Sequence, residues 1–537
     1  YWGWKLHWFL TDDAYIAFRF VSNRRLGFGY TWNRPPFQPV EGYSSFLWLL
    51  LLDGVWSAFG VPPPSAANDL SLTMALLSLF ATAWAAWRLC QGKRRSDLTL
   101  LGLGCVLLCV VSNRSFLVWS SSGLETALFN LLVEAWILLL FVARWDSPRR
   151  RVHRAYAVSA IAALLCLARP DGLLFAATTL SMIAIWARLG VLPGRRAALC
   201  GLLLSPALAH ELFRYATYGE WLPNTYYAKV VGAWPAAGLR YAASFVLEYA
   251  YYLAIPWMLW GLAHAQVRAF RTIRTAAQRA IWLGRNIGAF TLCAKLGFDV
   301  LIAGGDHFEY RSLSYWVPLI ALGFLYTCLE LKRSARVVAV LFAGFIATSA
   351  VLPWTYYAQT RAHFAWPPEP RVLAIAPDVP FVLRPIARAF DDLQAWLIPR
   401  GIGVRQNEHR AFWLRLLSEY PSRAVGTRAC SSAQRPIAAI PNVGVAGWVL
   451  ATCDILDLRG LNDYVIARTT PRDRERSYLA HERRPPAGYI ERFRPNVIVN
   501  DQHVVIRARG APFRDEEIIA AENYGRASLT MQSPHRD

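Results

Sequence analysis

The stretch SSFLWLLLLDGVWSAFG, residues 44–60, decides how the chain is laid out. It is apolar enough to enter a membrane, but it is short and carries Asp53 and Gly54 near its middle. If it crosses a bilayer, the preceding loop lies on one side; if it rests at the interface, that loop lies on the other. The preceding loop holds TDDAYIAFRF (11–20), with two adjacent carboxylates, Asp12 and Asp13, and Arg19 close behind.

The rest of the chain supplies the context. Of 537 residues, 55% are hydrophobic and only 17% are charged, well under the roughly 25% usual in a soluble domain. Apolar runs close to 20 residues recur, the length that spans a bilayer core. Candidate spans are 70–90, 98–112, 124–143, 155–168, 172–187, 197–215, 245–266, 281–303, 312–331 and 335–353. The opening YWGWKLHWFL reads as the end of a further span that begins upstream of Tyr1, and the region that would show a signal peptide is not in view.

The net charge is +21, from 57 basic and 36 acidic residues. The basic residues cluster in short connections, which suits membrane topology rather than nucleic acid. They fall on alternate connections: Lys93 to Arg95, Arg149 to Arg154, Arg188 to Arg196, Arg268 to Arg279, and Lys332 to Arg336. The positive-inside rule puts these five in the cytoplasm. The polar clusters of the other connections then face outside. The Asp12–Asp13 loop joins them only if 44–60 does not cross. That gives a mostly α, polytopic membrane protein with about 11 transmembrane helices, its first outer loop lying partly at the interface, an inside N-terminus and an outside C-terminus.

After residue 353 the character changes. EHRAFWLRLLSEY (408–420) reads as an amphipathic helix with Phe412, Leu416, Leu417 and Tyr420 near one face. RPIAAIP (435–441), CDILDL (453–458) and RPNVIVND (494–501) read as short strands. Residues 1–353 are therefore expected to form the membrane domain and 354–537 an exported α/β domain. Seven cysteines lie in apolar segments, where a small buried hydrophobe is the default. Cys430 and Cys453 lie in the exported tail, free or paired. No CxxC or Cys/His spacing points to zinc.

The outer connections carry chemistry. They hold Asp12, Asp13, Arg19 and Glu41; Glu125 in SSSGLET; Arg169 and Asp171 in ARPDG; Asn224, Tyr227 and Lys229 in YGEWLPNTYYAK; and Asp306, His307, Glu309 and Arg311 in GGDHFEYR. Singly, each has a plain structural role: a helix cap, a turn, a carboxylate at a helix start. Together they would share one membrane face, where ionisable groups tend to be functional. Carboxylates without a Ser/His or Cys/His dyad argue against acyl transfer. Carboxylates with Arg and Lys suit a hydroxyl to deprotonate and a phosphate to hold. With no Gly-rich nucleotide loop, the phosphate is expected on a lipid carrier.

The ordered series TDDAYIAFRF…VEGYSSFLW, SSSGLETALF, ARPDGLLF, LPNTYYAK, GGDHFEYR, then DLRGLNDYVIAR and AHERRPPAGYI in the tail, resembles the bacterial GT-C membrane glycosyltransferases related to the AftB arabinofuranosyltransferases. The resemblance covers nearly the whole chain. It implies a decaprenyl-phosphate arabinofuranose donor and a glycan acceptor at the outer face of the cytoplasmic membrane. It also implies juxtamembrane helices in the first outer loop and a catalytic acid there, which maps onto Asp12 and Asp13. Where the family more often reads GGDYMP…R this chain has GGDHFEYR, so His307 bears on sugar or acceptor choice.

On this reading Asp12 or Asp13 is the general base or, with its neighbour, holds a divalent cation such as Mg, Mn or Ca. Arg19, Arg169, Lys229 and Arg311 stabilise the departing phosphate. Glu41, Glu125, Asp171, Asn224, Tyr227, Asp306 and His307 meet the sugar or acceptor, and in the tail Asn462, Asp463 and His481 touch the glycan or simply form a turn. The expected partners are the polyprenyl-phosphate donor, the glycan and the bilayer, with no nucleic acid, and the chain acts as a monomer. A mannosyl- or other hexosyltransferase on the same carrier, a lipid or sugar transporter, and a non-catalytic glycan-binding scaffold are the alternatives.

Overall fold

A computed structural model describes residues 1–91, 96–229, 232–362, 372–431, 435–473 and 478–531. The expected basic cluster at Lys93, Arg94 and Arg95 lies outside the described residues.

The segment 44–60 forms the helix Phe46–Phe59. Its 14 residues reach about 21 Å, short of a hydrocarbon core of about 30 Å. Asp53 is buried, taking Arg24 at 3.1 Å and the Tyr30 hydroxyl at 2.7 Å. Gly60 ends the helix in the left-handed conformation that a Cβ would oppose, and the chain turns directly into the helix Pro63–Cys90.

Five helices among the described residues are long and apolar enough to cross a membrane: Pro63–Cys90, Pro148–Ala168, Pro170–Arg188, Arg311–Glu330 and Ala335–Arg361. The other expected spans are helical too, but fall short in length or apolarity. Ser96–Ser112 and Thr126–Phe141 have 17 and 16 residues. The expected span 197–215 is two pieces, Gly194–Leu202 and Ser205–Tyr218. Pro206, in the first turn of the second piece, lacks the N–H that a continuous helix would use. Side chains such as Phe80, Leu100 and Val340 stand exposed on this bundle, as lipid-facing residues do. Cys293, expected to be buried, is exposed as well. Arg196 reaches the Tyr156 hydroxyl, just beyond the 149–154 connection, and Arg268 pairs with Glu330, just before the 332–336 connection.

The tail matches its expected elements. The helix Gln406–Glu419 buries Trp413 and Leu416, while Leu417 is exposed, so its buried face is rotated from the expected one. Strands β1 (Ile437–Ile440) and β2 (Asp454–Asp457) pair in parallel, and β3 (Val497–Asn500) and β4 (His503–Ile506) pair antiparallel. Cys430 and Cys453 are joined in a disulfide.

The tail does not hang apart from the membrane helices. One hydrophobic core runs from Phe129 and Trp136 through Phe18 and Phe20 to Val445, Leu450 and Ile455. The helix Asp12–Arg25 is the keel between the two. Thr11 caps it, its Oγ1 accepting from Ala14 N–H at 3.1 Å. Its far flank receives the tail helix Val443–Val449 so closely that a Cβ on Gly444 would lie 1.8 Å from the Asp12 carbonyl oxygen.

Gly444→Ala is therefore expected to lift the tail helix from the Asp12–Arg25 helix, costing about 1–3 kcal/mol by overpacking. A thermal midpoint in detergent that matches wild type would contradict this docking.

Candidate active site

The structure gathers most, but not all, of the expected polar residues around one cavity of about 1300 Å³. Asp12, Asp13, Glu125, Arg169, Asp171, Lys229, Asp306, His307, Arg311 and His481 line it. Part of its wall is apolar, from Leu174, Phe298 and Ile302.

Backbone contacts between loops bring these groups together. Leu10 pairs with Ser122, and Thr11 N–H donates to the Ser122 carbonyl at 3.0 Å. Gly123, at φ +78°, packs so tightly that a Cβ would lie 2.7 Å from Leu10 Cδ2. Trp48 Nε1–H donates to its carbonyl at 3.0 Å, so the short helix Phe46–Phe59 is pinned to the loop that carries Glu125. The GGDHFEYR loop is stitched to the tail: Gly403 N–H donates to the Asp306 carbonyl at 2.9 Å and Val404 N–H to His307 at 2.8 Å.

The two adjacent aspartates have different surroundings. Asp12 Oδ1 accepts from Val445 N–H at 2.7 Å and Oδ2 from Gly444 N–H at 3.2 Å. Burial nevertheless pushes its carboxyl up to about 7, with repulsion from Asp13 adding to the effect. Asp13 is 36% exposed to the cavity, and its nearest cation is Lys229 Nζ at 3.9 Å. Adjacent helical residues point about 100° apart, so one carboxylate can anchor the tail while the other faces the cavity.

On the membrane side, charges alternate in a chain. Arg169 donates to Glu125 at 3.2 Å and to Asp171 at 3.1 Å. Lys295 lies 3.0 Å from Asp171 and 2.5 Å from Asp299. Asp306 takes Arg311 Nε–H at 2.8 Å, and Arg311 holds its carboxyl below the usual range against the effect of burial. Lys295 and Asp299 were not anticipated. Their signal is plain in the sequence: an i,i+4 charged pair inside the apolar run 281–303, where ionisable residues are costly.

Three imidazoles meet at the tail side. His307 packs edge-on to His409 and His481, with ring centroids 5.2 and 5.6 Å away. His307 Nδ1–H donates to the Gly401 carbonyl at 2.6 Å. Burial lowers all three, His409 to about 3, so they are neutral near pH 7. His409 was not singled out in the sequence, because it sits within an amphipathic helix.

Six expected site residues do not line the cavity. Arg19, 1% exposed, donates to the carbonyls of Trp32, Gly447, Leu450 and Cys453 and to Asn33 Oδ1, which occupies its guanidinium. Glu41 is buried against Arg214, and burial pushes it up to about 7. Asn224 clamps the carbonyls of Gly460, Leu461 and Asp463 through Nδ2. Tyr227 donates to Glu220 at 2.9 Å beneath the Arg468 guanidinium. Asn462 bonds Asp457 at 2.9 Å, and Asp463 accepts from Ile466 N–H and the Tyr489 hydroxyl. Arg19, Asn224 and Tyr227 tie loops to the tail, Glu41 holds Arg214, and Asn462 and Asp463 brace the tail internally. Among the described residues, no three His, Cys, Asp or Glu side chains come together as a cation cage, and both Asp12 oxygens are engaged by amides. The expected divalent cation does not fit this donor set.

No protein-family model matches the chain, and no curated protein matches it. Among solved structures it is similar to ArnT from Cupriavidus metallidurans bound to undecaprenyl phosphate, at 12% identity over 84% of this chain and 83% of that one, with a TM-score of 0.45. The apo state of ArnT gives 14% identity over the same shares and the same TM-score. At that level the likeness assigns no activity.

Lys295→Met would leave Asp171 and Asp299 facing each other without their shared cation, an expected cost of about 3–5 kcal/mol. Lys295→Met with Asp299→Leu should recover much of it, by thermal midpoint in detergent; equal loss in both variants would argue against the pairing.

The histidines give a pH test. An unfolded histidine binds protons as pH falls through about 6.5, whereas the folded ones do not, so their contribution to stability is present above that pH and lost below it. Asp12, Glu41 and Asp463, each pushed up to about 7, work in the opposite sense over the same range. The difference between wild type and His409→Gln isolates the histidine. Wild type should lose stability relative to this variant as pH is lowered from about 7 to about 5; a constant difference would contradict a buried neutral His409.

Proposed function

We propose that the chain transfers a sugar from a polyprenyl-phosphate donor to a glycan acceptor at the outer face of the cytoplasmic membrane, on a GT-C framework. Arabinofuranose is the sugar the sequence resemblance favours. Residues 1–353 supply the catalytic membrane portion, and 354–537 close the site from outside. The reading rests on one observation: a carboxylate free of backbone contacts, Asp13, opens into a large cavity beside Lys229, and part of that cavity's wall belongs to membrane helices.

Asp13 takes the proton from the acceptor hydroxyl as the oxygen attacks the anomeric carbon. The bond to the polyprenyl phosphate breaks, and the lipid phosphate leaves with the electron pair. Arg169, Lys229 and Arg311 face the charge that develops there. Glu125, Asp171 and Asp306 orient those cations and are available to sugar hydroxyls. Asp12 positions rather than reacts, since its oxygens are engaged by the tail. A transporter is less well supported, because transporters bind near the bilayer midplane between repeated halves, whereas these groups gather where loops and tail meet.

Asp13→Asn is expected to lower transfer from polyprenyl-phosphate arabinofuranose by about 100-fold or more, in line with a general base. Asp12→Asn should keep more activity and lose thermal stability instead. Full activity in Asp13→Asn would sink the proposal. Faster turnover of polyprenyl-phosphate mannose would move the assignment to a hexosyltransferase.

A further inference from the structure

The cavity is not evenly charged. On the membrane side, Arg169, Lys295 and Arg311 are each within ion-pair distance of a carboxylate. On the tail side, Arg459, Arg472 and Arg484 line the rim, with Asp473 the carboxylate among them. No salt bridge joins any of these three arginines to a carboxylate among the described residues. Arg484 donates to the carbonyls of His481 and Arg483, at 2.8 and 2.7 Å, which fixes it without neutralising it. Arg459 Nε is buried and has no hydrogen-bond partner. The neighbouring Asp457 does not neutralise it by contact, since its oxygens accept from the amides of Arg459 and Asn462 and from Asn462 Nδ2. The arginines are close enough to disfavour one another's charge: burial first, then Arg459 and Arg472, lower Arg484. Clustering like charges around a cavity costs free energy unless something of opposite sign arrives.

The size of the cavity separates this rim from the donor. About 1300 Å³ exceeds the roughly 300–1,000 Å³ of a single small-molecule pocket, so it has room for two substrates. A lipid-linked donor comes in along Leu174, Phe298 and Ile302. The rim arginines, Arg459, Arg472 and Arg484, all belong to the tail, so the rim faces the other substrate.

We propose that Arg459, Arg472 and Arg484 bind an anionic group, a phosphate or a carboxylate, on the acceptor glycan. Planar guanidinium forks match both groups, giving two parallel N–H···O bonds each. The proposal takes the cavity to be the transferase site described above.

The test is binding to the full-length protein in detergent, by titration calorimetry, of three oligosaccharides alike except for a single phosphate, a single uronate or neither. Wild type should bind one of the charged probes at least tenfold tighter than the neutral one, and added salt should erode that preference. Arg459→Gln with Arg472→Gln should abolish the preference, and Arg459→Lys with Arg472→Lys should keep part of it. The lysine pair also guards against a folding defect in the glutamine pair. Equal affinity for all three probes, or a preference untouched in the glutamine variant, would overturn the proposal. So would displacement of the charged probe by a short-chain polyprenyl phosphate, since the rim would then be the donor's. If the preference holds while wild type consumes no polyprenyl-phosphate sugar, the transferase reading fails and the anion site stands.

Discussion

The arrangement depends on a set of four buried charges. Arg405 of the tail grips Glu248 with two bonds of 2.8 and 2.9 Å, and Arg114 grips Glu309 at 3.1 Å and closer. Gln406 N–H adds a bond to Glu309 at 2.8 Å, which joins the pairs across the tail. All four side chains are essentially sealed from solvent. Burial acts to raise the Glu309 carboxyl, but Arg114 and Arg405 outweigh it and hold it below the usual range. A lone charge there would cost several kcal/mol, so each ion is tolerable only while the other three are in place. The four come from separate stretches: the start of the helix Arg114–Trp119, the end of the helix Pro235–Glu248, the GGDHFEYR loop and the tail. Seating one fixes all.

That constraint explains the placing of the site. With Glu309 held from below and Val404 bonded alongside, Asp306, His307 and Arg311 project from a loop that cannot rotate away. The Arg19 clamp does the same on the opposite flank, through carbonyls of the tail. Between these two anchors the cavity is left with groups that have either one another or open space. The strongest buried pairings therefore surround the cavity, and the more weakly held side chains line it, the arrangement a preorganised site requires.

Much of this was legible in the sequence. Hydrophobic runs gave the helices, and the shortness of 44–60 with Asp53 inside it matches a 14-residue helix that buries that aspartate. The alternation of basic connections led to the expectation that five polar loops share one face, and most of their ionisable residues do share a cavity. What periodicity cannot tell is which charges face in and which are consumed by packing. Arg19, Glu41, Asn224 and Asp463 look like site residues by type and neighbourhood, yet their partners are backbone groups and side chains up to hundreds of positions away, which only the folded chain brings near. Lys295 and Asp299 were overlooked for the opposite reason: an apolar surround drew attention to the span and away from its charges.

The adjacency of Asp12 and Asp13 has a mechanical meaning. One is bolted to the first amides of a tail helix, and the other stands free a single residue further along the same rigid turn. A shift of the tail helix is thus carried to Asp13 with almost no slack. The chain has placed an anchor and a cavity-facing carboxylate on neighbouring residues, so the seating of the tail is registered directly at the Asp13 oxygens.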